Sequence, residues 1–391
     1  MKNYWLALLV AMAACQRNNS EQPETIARDT TGFCFRSEIQ FADCFDIIPH
    51  DNYKQIIVFD VWNNKDTLSN FIIVPKNTSL PESLPDHEYV LPVPISSIVA
   101  LSGTHLGFID LLNALDCVKG VSNGRRLYNK YLYKRFAEGK IAELGTAESG
   151  DLEQILDLAP EVVMKTGFED VRKNDKRILG AGLRIAYNIE WMETKMLGRA
   201  EWIKFVGALF CKEAEADSIF SAIRRQYQQV AGLIVDIENK PTVLSGSNYK
   251  GTWFLPGGRS YIAQLIVDAG GDYHYKNESS KGSIPLSFEV VLENLVDADI
   301  WIGPRAGSLE ELRLMDERYK LFKAYKNGRV YHIDNRTTES GGNDYWESGV
   351  ARPDLLLKDI VRIFHPDLIP GHKLFYYRRL EKEPSTKTSG L

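Results

Sequence analysis

Apolar positions along this chain recur in two rhythms, and the change between them falls near residue 95. From about Gly32 to Lys76 the stretches "FCFRSEIQF", "DCFDIIPH", "YKQIIVFDVW" and "SNFIIVPK" alternate apolar and polar residues, or run apolar, between Asn, Asp and Pro. A period of two sends successive side chains to opposite faces, so these stretches predict the strands of a small antiparallel appendage. The proline-studded "NTSLPESLPDHEYVLPVP" predicts an extended crossing segment and completes a β-rich region over residues 32–94.

Beyond it the rhythm becomes strand, polar turn, helix, strand. The apolar run Ile98 to Leu101 breaks at Ser102-Gly103-Thr104 into a pattern with Leu106, Ile109, Leu112 and Leu115 on one face. That is a βαβ signature. "GKIAELG" and "GLRIAYN" add short strands, giving an α/β lobe over residues 95–195. Between Met196 and Asn239 there is no turn cluster, and Ala216, Ile219, Ile223, Tyr227, Val230 and Ile234 recur at helical spacing. The region 196–239 therefore reads as one helix, or two with a joint at Cys211-Lys212, and the piece Glu213 to Glu238 would span about 39 Å. After Pro241 the plan resumes with "TVLSGS", "SYIAQLIVDAGG", "HYKNE", "GRVYHID" and a closing helix "PDLLLKDIVRIFHP", a second lobe over residues 240–380 before a flexible tail at 381–391. The fold class is α/β: two Rossmann-like lobes joined by a long rigid helix, with the N-terminal β-rich appendage.

One phrase is written twice. "DLEQILDLAPEVVMK" from Asp151 and "SFEVVLENLVDADIWI" from Ser287 each give a polar opener, a Glu, a short amphipathic helix and a buried strand. Glu153 and Glu289 thus sit at helix starts, where unpaired N–H groups and the helix dipole favour negative charge. A duplicated lobe on either side of a helical strut makes a cleft, and the matching carboxylates suit a partner that also has two halves.

Net charge is −5, with no block of Lys or Arg, so the footprint of a nucleic-acid binder is absent. The apolar run Tyr4 to Ala14 follows Lys2, is too short to span a bilayer, and ends Met12-Ala13-Ala14-Cys15. This predicts a signal peptide over 1–14, lipid modification at Cys15 and a polar tether over 15–31. Cys34 and Cys44 flank a hairpin and could form a disulfide in an oxidising compartment; Cys117 and Cys211 lie in or at the end of helix patterns and read as buried. There is no CxxC, HExxH or His cluster among the seven His, so no metal site is expected.

The blocks "ISSIVALSGTHLGFIDLLNALDCVKGVS", "IAELGTAESGDLEQILDLAPEVVM", "PLSFEVVLENLVDADIWI", "FKAYKNGRVYHID" and "GGNDYWESGVARPDLLLKDIVRIFHP" run in order from about Ile95 to Leu380. In that order they resemble the substrate-binding lipoproteins of iron-complex and cobalamin ABC importers. The resemblance implies a bacterial cell-envelope protein facing the periplasm, a monomer held to the membrane by its lipid, that docks Glu153 and Glu289 on a permease dimer. Residues 32–76 are extra to the family's minimal plan, and phrases tied to one ligand are not recognisable.

In doubly wound sheets ligands lie beyond the carboxyl ends of the strands, so the loops after each strand are the candidates. These loops carry Arg125, Arg126, Arg259, Arg305 and Arg336, whose guanidiniums could pair with the oxygens of an anionic chelate. Trp191, Tyr249, Trp253 and Trp346 could form flat apolar walls, and His105 could donate a hydrogen bond or ligate a haem or metal centre. An enzyme on this scaffold would need paired carboxylates with His or Cys ligands on the same loops, and here such residues are scattered. The expected function is binding without catalysis or a resident cofactor: capture of an iron chelate, siderophore or haem, with cobalamin as the alternative ligand.

Overall fold

A computed structural model describes residues 37–63, 66–145, 151–168 and 171–382. Cys15, Cys34, the tether and residues 383–391 lie outside these residues, and with them the anchor and the Cys34–Cys44 pairing.

Four strands, β1 (Phe45–Pro49), β2 (Lys54–Asp60), β3 (Asp66–Pro75) and β4 (Val90–Val93), form the N-terminal sheet in sequence order. The first three pair antiparallel, whereas β4 lies parallel to β3. A parallel neighbour requires a crossover, and the proline-rich segment supplies it. This sheet is no appendage. Phe45, Ile56, Phe71 and Leu91 belong to one core with Ile98, Phe108, Trp202 and Phe205. Phe45 meets Trp202 at 4.6 Å between ring centroids. A buried ion pair, Lys54 Nζ to Glu213 Oε1 at 2.6 Å, ties the sheet to the interlobe helices. The stretch before β1, expected as a strand, is instead held by two buried carboxylates: Glu201 accepts the N–H groups of Gln40, Phe41 and Ala42, and Glu193 those of Asp43 and Cys44.

The first lobe follows as β5 (Ile98–Ala100), α1 (Gly103–Leu111), β6 (Val118–Val121), α2 (Lys130–Ala137), β7 (Ala142–Glu143), α3 (Leu152–Leu158), β8 (Val162–Lys165), α4 (Val171–Gly180) and β9 (Ile185–Tyr187). Its strands are all parallel, in the order β7-β6-β5-β8-β9. The order reverses between β5 and β8, and crevices open at such a switch point.

Two helices, not one, join the lobes. α5 (Met196–Leu209) begins in the second lobe's core, through Met196 and Leu197, and continues in the first lobe's core from Ala200. α6 (Glu213–Gly232) returns, with Ala216, Phe220 and Ile223 in the first core and Tyr227 and Val230 in the second. Gly207 permits their contact, because a Cβ there would stand 2.7 Å from that of Ala216. At 20 residues α6 is about 30 Å long, shorter than the sequence pattern implied. The apolar rhythm continues past Gly232 through Ile234, but the backbone has passed into three-residue turns, with Leu233 N–H on Val230 O and Ile234 N–H on Ala231 O.

The second lobe comprises β10 (Val243–Ser245), β11 (Asn248–Tyr249), β12 (Thr252–Pro256), α7 (Tyr261–Asp268), β13 (Ser283–Leu286), α8 (Phe288–Leu295), β14 (Ile300–Ile302), α9 (Leu309–Met315), α10 (Lys323–Lys326), β15 (Val330–His332), α11 (Asp344–Glu347), α12 (Pro353–Phe364) and β16 (Arg378–Arg379). β10, β14 and β15 are parallel, β16 closes that sheet antiparallel, and β11-β12-β13 form a separate antiparallel sheet. "HYKNE" is a turn instead of a strand. It packs against Gly258, where a Cβ would be 2.3 Å from Glu278 O. The repeated phrase folds the same way twice: Asp151 and Ser287 cap α3 and α8, and Glu153 and Glu289 are each the second residue of their helix.

Candidate functional site

The loop after β6 and the loop after β15 meet across the lobes around a cavity of about 500 Å³. Asp110, Tyr128, Asn129 and Lys130 line it from the first lobe, Arg336, Asp344 and Glu347 from the second. A neighbouring hollow of about 550 Å³ shares Tyr128 and Lys130 and extends along Tyr133, Thr338 and Ser340. Together they form a groove along the seam. Close backbone contact holds it: a Cβ on Gly107 would stand 2.2 Å from Glu347 O, and one on Gly342 2.7 Å from Leu127 O.

The Glu347 carboxylate crosses the seam to accept the N–H groups of Tyr128 and Asn129. Burial pushes its pKa up to about 7 against the pull of those N–H groups, with Asp344 and Asp110 adding to the rise. Burial also raises Asp110, whose carboxylate accepts from the Asn129 amide. Arg336 donates through Nε to Asp344 at 2.5 Å and lies over Phe375 and Tyr128, at 4.1 and 5.2 Å from the ring centroids. Its charge is thus already paired within the second lobe, and the Tyr128 ring meets it from across the seam.

At the switch point, Ser102 caps α1 and the loops after β8 and β9 come alongside. Trp191, 36% exposed, donates its indole N–H to Gly167 O at 3.2 Å. Behind it Arg199 of α5 pairs with Glu190 at 3.4 Å and lies 3.7 Å over the Tyr261 ring of the second lobe. Burial raises the Glu190 pKa, with Arg199 opposing.

His105, expected at the mouth of this crevice, is 0% exposed with its pKa pushed down to about 4 by burial. It is a neutral core side chain and offers no ligand contact. Trp253, expected as a pocket wall, is a core side chain as well. It is 0% exposed, ringed by Trp301, Tyr319 and Phe322, and donates to Ser245 O at 2.8 Å. The structure leaves Trp346 and Tyr249 at 48% exposure, the latter with Arg305 over its ring at 5.2 Å. Arg125, Arg126, Arg259 and Arg305 are exposed on their loops and do not line the seam cavity. Glu153 and Glu289 point outward, and Glu289 meets Arg318 at 3.1 Å. Tyr128, Asp110, Glu347 and Arg199 were not legible as site residues in the sequence; within "NDYWES", Glu347 binds backbone in the opposite lobe and Asp344 accepts from Arg336 and Ser348 of its own.

Among the described residues no group of three or more His, Cys, Asp or Glu is placed to hold a metal ion. Nor is any described helix long and apolar enough to cross a membrane.

A sequence model of the family described as periplasmic binding protein matches residues 98–337. An uncharacterized lipoprotein of Methanocaldococcus jannaschii is 28% identical over 352 residues, 86% of this chain and 81% of its own length. The molybdate-bound MolA of Haemophilus influenzae superposes with a TM-score of 0.56 at 18% identity, over 73% of this chain and 90% of that one. A periplasmic heme-binding protein of Pseudomonas aeruginosa gives a TM-score of 0.54 at 17% identity, over 70% of this chain and 93% of its own. At these identities the two structures share the fold.

Proposed function

The chain belongs to the periplasmic binding protein family, and from that premise we propose that it is the substrate-binding lipoprotein of an ABC importer that captures a metal chelate with a flat face, an iron siderophore or haem. The observation that carries this reading is the seam itself: loops from the two lobes enclose a groove, with Trp346 of the second lobe open to solvent on the helix that bears Asp344 and Glu347, and Trp191 of the first open to solvent at the switch point. Exposed indoles are costly to leave in water and suit a broad apolar or conjugated ligand face. Proteins of the same fold include one described as heme-binding and one holding molybdate.

A second reading, cobalamin, gains from the pairing of Arg336 with Asp344 and from the carboxylates of Asp110 and Glu347 around it. A groove so neutralised has less to offer an anionic chelate than the count of arginines implied. Delivery is proposed to use Glu153 and Glu289, placed at the same helical position in each lobe. Cys15 is proposed to carry the lipid, which makes this a tethered protein of the cell envelope.

Titration of the purified chain with a ferric catecholate, a ferric hydroxamate, haem and cyanocobalamin, at low and high salt, tests the ligand class. Saturable binding of a ferric chelate that weakens with salt supports the first reading. Salt-insensitive binding of cyanocobalamin alone replaces it with the second, and no binding of any of the four contradicts both.

A further inference from the structure

The family match begins at residue 98, so the whole N-terminal sheet lies outside it. Yet the start of the turn between β2 and β3 reaches the loop after β8, beside the switch point. The turn's first residues are held by the Asp60 carboxylate, which accepts the N–H groups of Trp62 and Asn63, both at 3.0 Å, and the Asn63 amide at 2.9 Å. Just before it, the pairing of β2 with β3 shifts register between Val58 and Phe59. Such irregularities bend a strand and re-aim the residues at its end.

The turn presents Trp62, half-buried, with its ring centroid 6.1 Å from that of Trp191 and the planes at 47°. Gly167 separates them from the parallel sheet. A Cβ there would stand 2.6 Å from Ile189 Cγ2, so glycine lets the loop after β8 pack on Ile189, and the same position lies within van der Waals reach of Trp62, at 3.5 Å from its Cη2. Trp191 is oriented by its bond to Gly167 O, and Trp62 by the Asp60 turn. Two indoles anchored from different parts of the chain, partly open to solvent, at the carboxyl ends of β8 and β9, form a wall at the place where doubly wound sheets bind ligands.

We infer that Trp62 is a ligand-contacting residue that extends the Trp191 wall, and that the N-terminal sheet is a specificity element of the binding site, favouring a ligand with a flat conjugated or apolar face. This rests on the proposed binding function. A Trp62 that only shielded Leu68 would matter to stability and not to affinity.

The test is titration of wild type, Trp62→Ala and Trp62→Phe with the ferric catecholate, the ferric hydroxamate, haem and cyanocobalamin, alongside melting curves. The chelate bound by wild type should bind Trp62→Ala about tenfold more weakly and Trp62→Phe within about threefold, in keeping with the worth of an aromatic contact. If Trp62→Ala does not fold, hydroxyl-radical footprinting of wild type decides: ligand should protect Trp62 together with Trp191. Unchanged affinity in a folded Trp62→Ala, or protection of Trp191 without Trp62, overturns the inference and leaves the proposed function standing. If wild type binds none of the four, both fall.

Discussion

Glu347, on the second lobe, accepts the backbone N–H of Asn129 on the first at 2.9 Å, from a position where its carboxylate is buried. Asn129 caps α2 with its own side chain, so from across the seam Glu347 holds the backbone of the capping residue.

Its titration gives the protein a pH dependence with a defined sign. The folded-state pKa, about 7, lies above the ordinary 4.5, so between those values the native state holds a proton that the unfolded chain releases. Stability from this group is therefore full at low pH and declines as pH rises from about 4.5 to about 7, by at most about 3 kcal/mol. Glu347→Gln should flatten this part of the profile. Melting temperatures at pH 5 and pH 8 check it; an equal slope in both proteins would contradict the assignment.

Gly107 has no room for a side chain under Glu347 O. Gly107→Val should force α1 away from α11, destabilise the ligand-free protein by about 1 to 3 kcal/mol, and weaken ligand binding. Denaturant unfolding measures the first effect and titration the second. A variant as stable as wild type would mean that the seam is looser than its geometry.

Much of this architecture was legible in the sequence because it is local. The repeated phrase folds identically in both lobes, since caps, Glu positions and buried strands are written within a few residues. The misreadings share a long-range cause. Trp253 looked like a loop aromatic because its strand partner Leu286 lies beyond a helix and a turn. His105 follows a polar turn, but α1 rotates it into the core. The N-terminal sheet read as separate because nothing in its own pattern shows that Phe45 will pack on Trp202. Arg336 looked free until Asp344 and Tyr128 closed around it.

Glu153 and Glu289 are exposed and do not line the seam cavity, and the ion pair of Glu289 with Arg318 lies on the surface. Such pairs contribute little. Reversing both residues to Arg should leave the melting temperature within about 2 °C and ligand affinity within about twofold, while abolishing ligand uptake by cells carrying the importer. Uptake at the wild-type rate would remove them from docking.

Cys15 follows a short apolar run and small residues. Cys15→Ser should move the protein from the membrane to the soluble fraction, because a lipidated cysteine is the only anchor proposed. Retention of the variant in salt-washed membranes would place the anchor elsewhere.

In the proposed function one ligand is gripped by both lobes. A double-mutant cycle with Trp191→Ala in the first and Trp346→Ala in the second, read by titration with whichever chelate binds wild type, tests it directly. A single site per chain and a loss of about three- to tenfold for each substitution are expected, with both melting temperatures close to wild type because both indoles are partly exposed. Affinity that ignores one of the two substitutions entirely would place the ligand on one lobe and contradict the account.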